Sequence, residues 1–301
     1  MYNKILIPLD GSKTAEKVLP YARYLAGQFK IPVELLAVVD IAEIATHMTA
    51  EKARFLDTMV EDSVRASENY LHGIAATFKG VTVKNTIERG RAEDVIIEKG
   101  GGYKDTLIAM ATHGRSGLNR FLLGSVAEKV LRGTSNPLLL ARASEAASAE
   151  GEAVLKTVIV PLDGSEVAEK VLPEAADTAK KLGLEIVLFR AYHIPYNAYS
   201  ADEGFYAVNF DELIAGVRDE ADEYLKTQVA AVKKLGVEKV SAVSKEGFAG
   251  DEIIALGRNT PGGLIAMSSH GRSGVKRWVL GSVAETVVRY GTGPVLVIRA
   301  V

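Results

Sequence analysis

The chain contains the same passage twice. Pro8–Pro20 reads PLDGSKTAEKVLP and Pro161–Pro173 reads PLDGSEVAEKVLP, differing only where Lys13 and Thr14 become Glu166 and Val167. A second passage also returns. His113-Gly114-Arg115-Ser116-Gly117, running on through Leu123-Gly124-Ser125-Val126, recurs as His270-Gly271-Arg272-Ser273-Gly274 through Leu280-Gly281-Ser282-Val283. The offset, roughly 155 residues, far exceeds the period of a stacked solenoid and marks duplicated domains. A length of 301 residues divides into two domains of ordinary size. Their bounds are read as residues 1–143 and 154–301. Between them residues 143–153, rich in Ala, Ser and Glu and without apolar periodicity, read as an exposed linker.

Each half alternates short Val/Ile/Leu runs with amphipathic stretches. In the first half the runs at 5–9, 33–39, 81–87, 106–111 and 137–142 predict strands, and 14–29, 51–78, 92–99 and 125–132 predict helices. Pro20 falls inside the first of these helices and is expected to kink it. The second half repeats the scheme, with strands at 157–162, 185–191, 239–244, 263–267 and 295–299, and helices at 167–182, 211–235, 251–258 and 282–290. Near-continuous apolar strands alternating with helices indicate a mostly parallel sheet covered on both faces. Right-handed crossovers then favour strands one and four side by side at the reversal of strand order, where ligands bind beyond the carboxyl ends of the strands. That crevice collects Asp10-Gly11-Ser12 and the glycine loop in the first half, and Asp163-Gly164-Ser165 with its own loop in the second.

The chemistry of the repeated loop favours an anion. A helix N-terminus presents unpaired N–H groups and a partial positive charge. Gly124 and Gly281 allow close backbone approach, and Ser125 and Ser282 add a hydroxyl. Arg115 and Arg120 make the first loop basic, as Arg272, Lys276 and Arg277 do the second. The pair reads as two phosphate-binding loops. No Gly-Lys-Ser/Thr follows the glycines, so neither is a Walker loop, and no GxGxxG occurs.

At these residues the sequence resembles the universal stress protein family in its tandem form, over nearly the whole chain and once per half. The family's nucleotide-binding pattern is Gly-x2-Gly-x9-Gly-Ser/Thr. Gly114 and Gly271 match its second glycine, Gly124 and Gly281 its third, and Ser125 and Ser282 its hydroxyl, with Val126 and Val283 following. Ala111 and Ser268 stand where the first glycine would be. The family's acidic residue after strand one is matched by Asp10 and Asp163, which the resemblance places near the ribose and a Mg²⁺ ion. Val38 matches the valine whose backbone faces adenine, and Ala191 takes its place in the second half. Arg115 and Arg272 join these sets. The resemblance implies two tandem Rossmann-like domains of the adenine nucleotide alpha hydrolase-like kind, each a five-stranded parallel sheet with helices on both faces. It also implies adenine-nucleotide binding, ATP first with AMP or ADP as alternatives, and a regulatory role in stress response with little turnover.

Other readings are weighed against this one. The aspartates serve equally to cap a helix or shape a turn. His113 and His270 lack a serine nucleophile and an orienting acid, which favours a structural hydrogen-bonding role. His47, His72 and His193 have no metal-ligand spacing. Tyr192, Tyr196, Tyr199, Phe205 and Tyr206 cluster after the second half's second strand and read as an aromatic-packed loop. A slow ATP-hydrolysing enzyme and a nucleotide-free scaffold remain as alternatives.

The net charge of −2 gives no general attraction to nucleic acid or anionic membrane, and the absence of Cys removes disulfides and thiolate chemistry. The apolar run after Met1 is too short for a signal peptide, so a cytoplasmic location is expected. Finally, 138–142 and 295–299 are apolar strands expected at sheet edges, where an uncovered edge invites aggregation. The resemblance supplies a cover: the two last strands meet antiparallel in an internal pseudo-dimer. A further homodimer is not excluded.

Overall fold

Three consecutive residues at the start of the chain, Ile5, Leu6 and Ile7, are wholly buried. Successive strand residues point to opposite faces, so both faces of their strand are covered. The computed structural model describes residues 2–46, 53–101, 105–112, 123–142, 153–193, 210–271 and 280–299. Two units divide the chain. One holds the residues up to Val154 and also Pro294–Arg299; the other begins at Leu155 and includes Gly281–Gly293.

In the first unit the elements are β1 (Lys4–Pro8), a 3-10 turn (Ala15–Val18), α1 (Leu19–Phe29), β2 (Val33–Val39), α2 (Ile41–Thr46), a second 3-10 turn (Ala53–Phe55), α3 (Leu56–Ala75), β3 (Val83–Arg89), α4 (Ala92–Gly100), β4 (Thr106–Ala111), α5 (Ser125–Gly133) and β5 (Leu138–Ala141). The following half of the chain gives β6 (Thr157–Pro161), α6 (Glu166–Glu169), α7 (Leu172–Leu182), β7 (Glu185–Tyr192), α8 (Phe210–Lys234), β8 (Val240–Glu246), α9 (Ala249–Arg258), β9 (Gly263–Ser268), α10 (Ser282–Tyr290) and β10 (Val295–Ile298).

Strands of the first unit run β3-β2-β1-β4-β5, all parallel. The sheet does not stop there. β10 adds to β5 in the antiparallel sense, with Val295 opposite Leu140 and Val297 opposite Leu138. The two last strands therefore meet as the sequence leads one to expect, and the sheet of this unit is mixed. Residues Leu138, Leu139 and Leu140 on β5, and Leu107 and Ile108 on β4, are almost entirely inaccessible, each burial stabilising by about 1.5–3 kcal/mol. In the second unit the parallel order is β9-β6-β7-β8. Val158, Ile159 and Val160 repeat the burial of β1. In both units the first strand lies between the second and the fourth, which sets the reversal point where the crevice opens.

Pro20 does not kink a long helix. The chain makes a 3-10 turn first, and α1 then starts with Pro20 in its opening turn. There its missing N–H is one that no intrahelical acceptor would take. Pro173 does the same for α7. Helix α2 was not expected from sequence. None of its residues is buried, so it carries no amphipathic signal.

Candidate functional site

The site is built first from the turn after β1 or β6. Gly11 and Gly164 take φ of 82° and 86°, a left-handed conformation that a side chain resists. The turn lets Asp10 Oδ1 accept from the Ser12 N–H at 2.9 Å, and Ser12 Oγ in turn accepts from the Ala15 N–H at 3.1 Å. In the second unit Asp163 Oδ1 accepts from both the N–H (3.0 Å) and the hydroxyl (2.6 Å) of Ser165, whose Oγ caps α6 through the Ala168 N–H. The aspartates thus do shape the turn. They are also held at the mouth of the crevice, with their carboxylates fixed.

The second component is the helix start. Gly124 and Gly281 are the N-cap residues of α5 and α10, with φ near −60° and ψ near 145°. Any residue adopts that backbone, so conformation does not demand glycine here. At Gly281 close approach weighs against a side chain. A Cβ on Gly281 would come within 3.3 Å of the Ser269 carbonyl. The Gly124 N–H donates to the Thr112 carbonyl at 2.8 Å and the Gly281 N–H to that of Ser269 at 2.9 Å. These bonds pin each helix start to the end of β4 or β9. A glycine cap has no side chain to occupy the first-turn N–H groups, which stay turned toward the crevice.

The two components converge. A Cβ on Gly271 would clash with Asp163 Oδ2, so the loop after β9 meets the carboxylate after β6 through a bare Cα. In the second unit a cavity of about 500 Å³ is lined by Asp163, Ala191, Ser268, Gly271, Gly281, Ser282 and Val283. In the first, a cavity of about 630 Å³ is lined by Asp10, Val38, Ala111, Gly124, Ser125 and Val126. Both volumes suit a small-molecule ligand. Gly114, Arg115 and Arg272 lie outside the described residues, as do His47, His113, Tyr196, Tyr199, Phe205 and Tyr206. His270, which lines the second cavity, is hydrogen-bonded through Nδ1 with the fully buried Ser269 hydroxyl at 2.9 Å.

A model of the universal stress protein family matches residues 1–142 and 155–299. The chain belongs to that family. A universal stress protein of Methanocaldococcus jannaschii is 32% identical over 150 residues, spanning 50% of this chain and 85% of that one. One from Mycolicibacterium smegmatis is 22% identical over 98% of this chain and 96% of its own. The crystal structure of a universal stress protein from Archaeoglobus fulgidus superposes with a TM-score of 0.71 at 23% identity, covering 100% of both chains. The tandem α/β architecture is therefore that of the family.

In this universal stress protein the crevices also hold residues that sequence reasoning did not nominate. Arg91, Glu93 and Lys129 line the first, where Lys129 Nζ meets Glu93 Oε1 at 2.5 Å. The hydrogen bond from Lys129 holds the Glu93 carboxyl below the usual glutamate range. Arg190 and Glu220 line the second, paired at 3.0 Å, with the Arg190 guanidinium 4.7 Å from the centre of the Tyr224 ring. Arg190 and Glu220 take the places of Ala37 and Ala66 in the first half, which there line an adjoining cavity of about 500 Å³ against α3 that shares Asp10, Val38 and Asp40 with the first crevice. Among the described residues no group of three or more His, Cys, Asp or Glu is placed to hold a metal ion.

Proposed function

We propose that the two repeats, residues 1–143 and 154–301, each bind one adenine nucleotide, ATP first with ADP or AMP as alternatives, and act as a regulatory module in stress response without substantial turnover. The observation that carries this reading is the convergence at Asp163: its carboxylate, the bare Cα of Gly271 and the Gly281–Val283 helix start line one cavity. The first unit repeats that lining with Asp10 and Gly124–Val126. The phosphates would rest on the first-turn N–H groups of α5 and α10. Val38 and Ala191 would lie beside the adenine, and Arg115 and Arg272 would add positive charge near the phosphates. Asp10 or Asp163 would give a Mg²⁺ ion one carboxylate ligand, with phosphate and water oxygens completing its shell.

Turnover would need a positioned water and an acid, base or nucleophile beyond phosphate binding. Among the described residues the Ser–His pair beside a crevice uses Ser269, which is fully buried and absent from the cavity wall. Absence of long apolar helices among the described residues leaves no candidate membrane span.

Calorimetric titration with ATP, with the second crevice disabled by Gly281→Val, tests the reading. Gly124→Val should then lower affinity at least tenfold, because the added methyls stand where phosphate must approach and not because the backbone is strained. Unchanged affinity overturns the phosphate site. Hydrolysis at an ordinary kinase rate, abolished by Asp10→Asn together with Asp163→Asn, would replace the binding module with an enzyme.

A further inference from the structure

The two crevices share a frame but not a mouth. In the first unit the Gly90 N–H donates to the Val39 carbonyl at 3.1 Å, and in the second the Gly247 N–H donates to that of Tyr192 at 2.9 Å. Each bond ties the last residue of the second strand to the glycine that follows the third. The residues next along the two segments are Asp40 and Arg91 in the first half, and His193 and Phe248 in the second. The charged couple is thus exchanged for an aromatic one. The His193 and Phe248 rings lie 5.7 Å apart at an interplanar angle of 40°. Phe248 is 71% exposed, the most exposed large apolar side chain among the described residues. His193 lines the crevice, and an exposed phenyl ring packed beside it extends that wall with an open apolar face on which a flat partner can stack.

A second difference lies deeper. Where the first half has Ala111, the second has Ser268, only 6% exposed, whose Oγ is buried with no hydrogen-bond partner among the described residues. It is part of the wall of the second cavity. A buried hydroxyl without a partner is costly unless a ligand completes it. His193 and the orphaned hydroxyl line the same cavity, with Phe248 packed against the His193 ring beside it; in the first unit Asp40 and Ala111 line the cavity instead.

We infer that the second crevice carries a base-reading subsite that the first lacks, in which a purine base stacks on the His193–Phe248 pair and a polar atom of the same ligand engages Ser268 Oγ. This rests on the nucleotide-binding reading above and adds to it that the halves are not equivalent. The second recognises the nucleoside, so it binds adenosine without phosphates; the first depends on the phosphates. Stacking a base on an aromatic side chain contributes enough to change affinity by roughly tenfold or more.

The test is two-site calorimetry on the full chain with adenosine and with ATP. Wild type should bind two ATP but one adenosine. Phe248→Ala, an exposed substitution that leaves the fold intact, should weaken adenosine roughly tenfold while one ATP site keeps its affinity. Ser268→Ala should weaken the same site severalfold, and Ala111→Ser should leave the other unaltered. Binding of two ATP by wild type, with adenosine affinity unmoved by both Phe248→Ala and Ser268→Ala, overturns this inference and leaves the nucleotide reading standing. Two equivalent adenosine sites overturn it as well. No binding of either ligand overturns both readings.

Discussion

Glu34 is the buried charge on which the first sheet depends most visibly. It sits on β2 at 6% exposure, with Lys4 Nζ at 2.7 Å, the Thr86 hydroxyl donating at 2.8 Å and Lys84 at 3.8 Å. Burial pushes its carboxyl upward, but the hydrogen bonds from Lys4 and Thr86 and the two lysine charges outweigh it, and the net shift is downward from 4.5. A carboxylate more acidic in the folded than in the unfolded chain adds stability above the unfolded value and loses it as pH falls through the folded one. Melting temperature followed from pH 7 down to about pH 3 should therefore show wild type losing its advantage over Glu34→Gln below about 4.5. Parallel curves across that range would count against the ion pair. Sequence reading could not find Glu34, because a lone glutamate in an apolar run carries no sign of three partners drawn from β1 and β3. Arg91 and Phe248 escaped for a related reason. Each is one position in a repeat, and its meaning appears only when the crevice is assembled.

At the scale of elements, strands were legible and helix starts less so. β4 and α10 fall where their apolar patterns put them, since burial on both faces and on one face leaves clear periods. The 3-10 turns before α1 and α3 are decided by local backbone hydrogen bonding and were invisible. Also invisible was the way α5 ends. Its last-turn carbonyls, Leu131 and Arg132, and that of Thr134 accept from the Arg299 guanidinium. A cation over the negative end of a helix, making charge-assisted hydrogen bonds, is worth about 2 kcal/mol. Arg299→Ala should accordingly lower the urea midpoint of the first unit by a comparable stability loss. Arg65→Ala breaks a loose 3.8 Å pair between two largely exposed side chains and should stay within about 0.5 kcal/mol. Equal effects from the two variants would refute the capping role.

On the scale of the whole molecule the duplication and the antiparallel meeting of the last strands were readable, because they are carried by repeated words and uncovered apolar runs. The consequence of that meeting for the first unit was not. β10 and Arg299, drawn from the end of the chain, complete its sheet and cap its last helix. A chain stopped before Pro294 should then expose the backbone amides of Leu138–Ala141, seen as faster hydrogen exchange, and aggregate through that edge. Slow exchange at those amides in the shortened chain would show that β5 needs no cover.

During synthesis this arrangement imposes an order. The ribosome delivers the first repeat before the second, yet the first repeat's sheet lacks an edge strand until β10 has been translated. At roughly 5–20 residues per second, the open apolar edge of β5 waits many seconds for the strand that closes it. Until that strand arrives the nascent first repeat carries an unpaired apolar edge, and a product terminated short of it keeps that aggregation-prone surface open.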